Sequence, residues 1–152
     1  MKSIFKVLLI LTLIFVATTS GTPVKKNQIY GTWKITSGKH NGIAAPQFMM
    51  DRTQSFKSDN TFQSLTYASG GKQNLANWGN FYLISDSTMV TYHKDQTGKL
   101  DDVANTYNFH VRNDTLHFHG FYLRQTPGNP SVLVKVFIDE WWVRVEKNKD
   151  SK

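Results

Sequence analysis

Asn105-Thr106-Tyr107-Asn108-Phe109-His110-Val111-Arg112, then Asn113-Asp114, then Thr115-Leu116-His117-Phe118-His119-Gly120-Phe121-Tyr122-Leu123: this stretch decides how the rest of the chain is read. Each run alternates with period two, the spacing at which successive side chains of a strand point to opposite faces. Asn-Asp between two such runs makes a two-residue hairpin turn, because both residues tolerate positive φ. A turn there sets Arg112 opposite Thr115, His110 opposite His117 and Asn108 opposite His119. One face of the hairpin then carries Tyr107, Phe109, Val111, Leu116, Phe118 and Tyr122, and the other carries the histidines. The apolar face is the core side, and the histidine face is expected to be exterior.

Outward from this hairpin the same grammar repeats. Residues 52–57 and 61–67 flank Ser58-Asp59-Asn60, and Phe56 falls opposite Phe62. Residues 78–85 and 88–94 flank Asp86-Ser87. Taken as a two-residue turn, that pair sets Phe81 opposite Tyr92 and Leu83 opposite Val90, leaving Trp78, Asn80, Tyr82, Thr91 and His93 on the other side. Residues 29–36 read as a first strand, 37–51 as a glycine-containing connector, and 132–138 with 141–145 as one bent strand or two. No helical period of about 12 or more residues competes. Consecutive hairpins favour a meander, in which each strand pairs with its sequence neighbour. Eight to ten such strands closing on themselves leave no naked edge. The expected fold is therefore all-β, an up-and-down antiparallel barrel.

The chain ends read differently. Lys2 and Lys6 precede an apolar run, 7–17, and the small residues Thr18-Thr19-Ser20-Gly21. That is the layout of a signal peptide, 1–21, with an apolar run too short to remain as a membrane anchor. Residues 22–28 form a polar leader, 29–146 the barrel domain and 147–152 a charged tail. The absence of cysteine excludes both a disulfide framework and a lipid-modified cysteine after the signal. A secreted or periplasmic protein, most naturally bacterial, is expected. Removing Lys2 and Lys6 from the 18 cationic residues leaves 16 against 11 acids, a net charge of +5. These charges are scattered and partly confined to the tails, whereas a nucleic-acid binder concentrates them on one face. No nucleic-acid partner is expected.

Gly31-Thr32-Trp33, near the start of the first strand, resembles the Gly-x-Trp signature of the lipocalin and wider calycin group. The resemblance implies that Gly31 and Trp33 sit at the closed end of a barrel, with a late arginine over the indole. Arg144, in Trp141-Trp142-Val143-Arg144-Val145, is the matching residue. A guanidinium over an indole face is worth about 0.5–2 kcal/mol. More closely, the chain is similar to a bacterial family of exported lipocalin-like domains of unknown function. The segments that carry this are Gly31-Thr32-Trp33-Lys34-Ile35, Phe56-Lys57-Ser58-Asp59-Asn60-Thr61-Phe62, Trp78-Gly79-Asn80-Phe81-Tyr82-Leu83-Ile84, Asn113-Asp114-Thr115-Leu116 and Glu140-Trp141-Trp142-Val143-Arg144-Val145. This resemblance implies a binding role and transfers no catalytic residue.

Phe56, Phe62, Phe81, Leu83, Tyr92, Tyr107, Phe109 and Phe118 are the residues expected to line a barrel interior. They point to a small, largely hydrophobic molecule as the partner, with no cofactor. A solid barrel that engages envelope proteins or glycans through exposed aromatics is the alternative. His110, His117 and His119 could instead gather a transition metal on one sheet face, as in a metal-dependent enzyme, with His93 joining from the preceding strand, since zinc accepts three imidazoles and a water. No nearby carboxylate is evident as their support, and the face is expected to be solvated, so no metal is assigned. The chain has no Gly-x-Ser-x-Gly elbow, His-Glu-x-x-His or phosphate loop. Its acids, among them Asp95, Asp101, Asp102 and the pair Asp139-Glu140, are read as solvated charges in loops and at strand ends. A binding protein is expected rather than an enzyme.

Overall fold

The computed structural model describes residues 28–68, 71–126 and 128–146. The expected signal peptide, most of the leader and the charged tail lie outside the described residues. Among the described residues nine strands follow in order: β1 Gly31–His40, β2 Ile43–Ala44, β3 Arg52–Phe56, β4 Thr61–Tyr67, β5 Gln73–Leu83, β6 Thr88–Lys94, β7 Leu100–Arg112, β8 Thr115–Thr126 and β9 Asn129–Glu146. A short helix, α1 Gln47–Met50, precedes β3. From β3 to β9 every strand pairs antiparallel with its sequence neighbour, and β1 pairs with both β3 and β9. The ring is thus closed, an eight-stranded up-and-down lipocalin-like barrel with β2 attached only to the end of β1.

Closure rests on the residues of the Gly-x-Trp segment. Gly31 adopts φ 126°, a left-handed value open to glycine and strained for other residues. Trp33 is fully buried, pairs in register with Arg144, and lies beneath its guanidinium at 4.0 Å. The indole N–H donates to the Ile29 carbonyl at 2.7 Å, and Arg144 donates to the carbonyls of Tyr30 and Gln28 at 2.6 and 2.7 Å. Asp114, in the β7–β8 turn, adds an ion pair to Arg144 at 3.2 Å. First strand, last strand and a hairpin tip are tied by one residue.

The hairpin registers follow their turns. Phe56 pairs with Phe62, and His110, Asn108 and Arg112 pair with His117, His119 and Thr115 as the Asn113-Asp114 turn requires. Asn113 carries the positive φ, 55°. At Asp59 and again at Asp95, the carboxylate accepts from the backbone N–H and hydroxyl of the threonine two residues on, which fixes those turns.

Two expectations are corrected and one open alternative is decided. The β5–β6 turn spans Ile84 to Ser87, not Asp86-Ser87 alone, and the register moves by one: Phe81 pairs with Thr91, Tyr82 with Val90 and Leu83 with Met89. A one-residue slip turns every side chain to the other face. Tyr92 therefore packs outside against Tyr82 at 6.1 Å and does not line the interior, while Thr91 and His93 point inward. Second, β1 does not end at 36 but runs to His40. The two C-terminal runs, readable as one bent strand or two, are one continuous strand, β9, which carries Asp139-Glu140 in its middle.

Half of the interior is solid. Trp33, Phe56, Phe81, Met89, Phe109 and Leu116 are buried at the end where the tight turns lie, with Phe56 and Phe81 edge to face at 5.2 Å. Fully burying such side chains contributes about 1.5–3 kcal/mol each.

A polar cavity in the open half of the barrel

At the opposite end, where β1 finishes and β3 begins, the interior is hollow. A cavity of about 190 Å³ lies there, with α1 contributing Met49 to its wall. It meets a wider depression of about 600 Å³ at the barrel mouth, and the two share Asn77, His93 and Tyr122. Phe62, Phe118 and Ile138 form the apolar wall. Tyr107, stacked on Phe118 at 4.6 Å, adds a hydroxyl-bearing ring. Facing them are Arg52, Glu140, His40, His93, Gln54, Asn77 and Thr91.

Glu140 is the centre of this set. One carboxylate oxygen accepts from Arg52 Nη2 at 2.6 Å and meets His40 Nε2 at 3.0 Å. The residue is 1% exposed. Burial alone would raise its carboxyl, but the hydrogen bond with His40 and the charge and hydrogen bond of Arg52 outweigh it, so its affinity for a proton falls below the ordinary value. Arg52 in turn lies over the Trp142 ring at 4.9 Å.

Local backbone geometry explains why these three residues meet. Trp33 and Ile35 point inward, and strict alternation would aim Ser37 and Lys39 inward too. The β1–β9 register skips one residue between Ile35 and Ser37, a bulge at Thr36 whose hydroxyl bonds the Trp141 carbonyl at 3.0 Å. A bulge switches the alternation. Gly38 and His40 now face inward, opposite Glu140 and Ile138. Glycine at 38 makes room, since a Cβ there would lie 3.2 Å from Glu140 Cγ. On β3, Arg52 and Gln54 share the inner face with Phe56.

Across the cavity, burial lowers the proton affinity of His93, an effect Asp101 partly opposes, and its ring lies edge-on to Phe62 at 5.3 Å. Burial, reinforced by the Glu140 charge, pushes the Tyr107 hydroxyl up, so that it stays neutral.

The expected lining residues divide between the two halves. Phe62, Tyr107 and Phe118 border the cavity. Phe56, Phe81 and Phe109 are packed in the solid half, and Leu83 is partly buried against it. Arg52, Glu140 and His40 were not foreseen: Glu140 had been read as a solvated acid, and 37–51 as a connector.

The histidines of β7 and β8 lie on the exterior. His117 stacks on Trp141, its register partner, at 4.2 Å and 8°, and on His119 at 4.8 Å. Its Nε2 meets Asp139 at 2.7 Å, a carboxylate that β9 supplies and the hairpin alone does not. His93, inside the barrel, cannot join them. Among the described residues no three histidine, aspartate or glutamate side chains are grouped to hold a metal ion.

Fold and site together define a closed β-barrel with one filled end and one end hollowed around an Arg–Glu–His cluster. No protein-family model matches the chain, and no curated protein is significantly similar to it.

Proposed function

We propose that this protein is an exported lipocalin-like binding protein that holds one small molecule in the open half of its barrel, and that it is not a catalyst. The observation that carries this reading is the division of a single interior into a packed half and a cavity whose wall shares Asn77, His93 and Tyr122 with a wider depression. Sites of this kind combine apolar walls with a few convergent polar groups. The expected, largely hydrophobic ligand is narrowed accordingly: an apolar body against Phe62, Phe118 and Ile138, with a polar head toward Arg52, His40 and His93. Asn77→Trp, which places an indole on the wall that the cavity and the depression share, should abolish uptake of a bound molecule detected by native mass spectrometry and leave the unfolding midpoint nearly unchanged. Equal uptake by Asn77→Trp and the natural chain would falsify the assignment of the site.

A second reading has its own support. Phe121, Leu123, Trp141 and Val143 are each about two-fifths exposed on the outer face of β8 and β9, and exposed apolar patches mark interaction surfaces. An interaction module would lose partner binding on Trp141→Ser and keep it on Asn77→Trp.

A further inference from the structure

Where β8 and β9 pass the rim of the barrel they leave their other neighbours. The β7–β8 ladder ends at Thr106 and Phe121, and the β1–β9 ladder ends at His40 and Ile138. An asparagine closes each departure. Asn105 Oδ1 accepts the Leu123 N–H at 3.0 Å. The Asn41 N–H donates to the Phe137 carbonyl at 2.8 Å, while its Oδ1 accepts the Phe137 N–H at 2.9 Å. Beyond these points β8 and β9 pair only with each other, as far as Thr126 and Asn129, among the described residues. Residues 122–126 and 129–136 thus form a two-stranded ribbon that stands on the open end with both edges unpaired. A lone ribbon of two strands is marginal in water, and a bare edge invites a partner.

The chemistry of the ribbon selects among partners. By alternation Leu123 and Leu133 share the face of Phe121, and Val132 and Val134 share the face of Tyr122. All four are between 37% and 45% exposed, so neither face is covered. A folded protein would cover one face of such a ribbon, whereas an apolar layer that surrounds it covers both. Its charged residues, Arg124 and Lys135, are both cationic. Like charges on an exposed edge oppose pairing with a second copy and suit an anionic surface instead. Ile43, 75% exposed on β2, and Leu75, half exposed near the start of β5, continue the apolar rim around the same mouth. The unpaired edges set the depth. Backbone N–H and C=O groups are not left bare in hydrocarbon, so the ribbon belongs at the boundary of head groups and acyl chains, where interfacial elements bind.

We propose that the β8–β9 ribbon docks this protein on an anionic lipid bilayer, with Leu123, Val132, Leu133 and Val134 in the interface and Arg124 and Lys135 against the lipid phosphates. Leu123, Arg124 and Leu133 also line the depression that shares Asn77, His93 and Tyr122 with the cavity. Docking therefore sets the barrel mouth against the lipid surface. It does not depend on the cavity holding a ligand.

The test uses the chain from residue 22 onward, which holds the whole closed ring and omits the apolar run 7–17. It is floated with vesicles of phosphatidylcholine alone and of phosphatidylcholine mixed with phosphatidylglycerol. The anionic vesicles should bind it about thirtyfold more strongly, the effect of two cations at such a surface. Leu123→Ser combined with Leu133→Ser keeps the net charge and should weaken binding to the anionic vesicles about tenfold or more. Ile84→Ser, an equally polar change at an exposed position of the sealed end, should leave binding unchanged. Arg124→Gln with Lys135→Gln should remove most of the preference for anionic lipid. These side chains are exposed, so the unfolding midpoints should agree; if the leucine variant unfolds early, Val132→Ser with Val134→Ser takes its place. Anionic binding that survives the apolar substitutions, or falls as much in Ile84→Ser, overturns the proposal. So does a preference unchanged in the charge variant, or equal binding to both vesicle types. A dimer in solution that the leucine substitutions dissociate, with no vesicle binding, would assign the ribbon to a second copy and overturn it too. No binding to either vesicle ends the docking proposal and leaves the cavity reading, which Asn77→Trp tests, where it stands.

Discussion

Two arginines lie over two tryptophans in this barrel, and they are used in opposite ways. At the closed end Arg144 covers Trp33 at 4.0 Å, donates to two backbone carbonyls and forms an ion pair with an exposed aspartate. At the open end Arg52 covers Trp142 at 4.9 Å and binds a buried glutamate beside the cavity. The first arrangement ties the terminal strands together and seals the ring. The second holds buried charges beside a cavity, where desolvation offsets much of what the ion pair returns. Stability and recognition are thus separated along the barrel axis, a division that can be tested from both sides.

The largest effect belongs to the closed end. Trp33→Ala removes a fully buried indole with its hydrogen bond to Ile29 and should cost about 3–5 kcal/mol of unfolding free energy by urea titration. A loss below about 1 kcal/mol would mean that the ring is held shut elsewhere. Next comes the open end. Glu140→Gln leaves the Arg52 charge unpaired in a buried site and should cost about 3 kcal/mol. Replacing the pair together, Arg52→Met with Glu140→Leu, should return stability to within about 1 kcal/mol of the natural chain. A double variant as unstable as the single one would make the cluster a structural element, and the contrast between the two ends would fail.

The closed end was legible in the sequence because every signal there is local or spaced by whole residues. Asn113-Asp114 sets the β7–β8 register, Phe56 meets Phe62 across a short turn, and Trp33 finds Arg144 through a resemblance that geometry also favours. The open end was not legible, for three physical reasons. The bulge at Thr36 has no composition of its own, yet it decides that His40 faces inward. The loop between Ile84 and Thr88, Ser85 to Ser87, is one residue longer than Asp86-Ser87 suggests, and that odd residue turns Tyr92 outward and His93 inward. Adjacent acids at Asp139-Glu140 look like a turn between two strands. In one unbroken strand they alternate instead, Asp139 outward to His117 and Glu140 inward to Arg52. A strand that runs through two acids must bury one of them, and a buried acid needs a basic partner on a facing strand; that rule could have pointed to Arg52.

A smaller effect separates the two arginines further. Arg144→Lys keeps a cation over Trp33 but loses the fork that reaches the Tyr30 and Gln28 carbonyls together. The expected cost is about 1–2 kcal/mol, measured by urea unfolding, with ligand uptake unchanged. Arg52→Lys should do the reverse, altering uptake more than stability. Equal effects of both substitutions on uptake would show that the two ends are coupled.

The smallest predicted effect is the response to acid, to which the open end contributes two buried groups, His93 and Glu140. Burial lowers the proton affinity of His93 from its ordinary 6.5, so below that pH the unfolded chain binds more protons than the folded one, and stability falls as pH falls. Glu140, also lowered from its ordinary 4.5, contributes stability that is present above that value and lost as pH drops through its folded one. Two successive declines are therefore expected in unfolding free energy measured against pH, the first beginning near 6.5 and the second below 4.5. His93→Gln should flatten the first and leave the second, while the paired Arg52→Met and Glu140→Leu change should flatten the second. Trp33→Phe leaves His93 and Glu140 in place, so it should lower the whole curve without changing the slopes these two groups set. A slope change in Trp33→Phe would couple the sealed end to His93 or Glu140 and remove the division between the two halves.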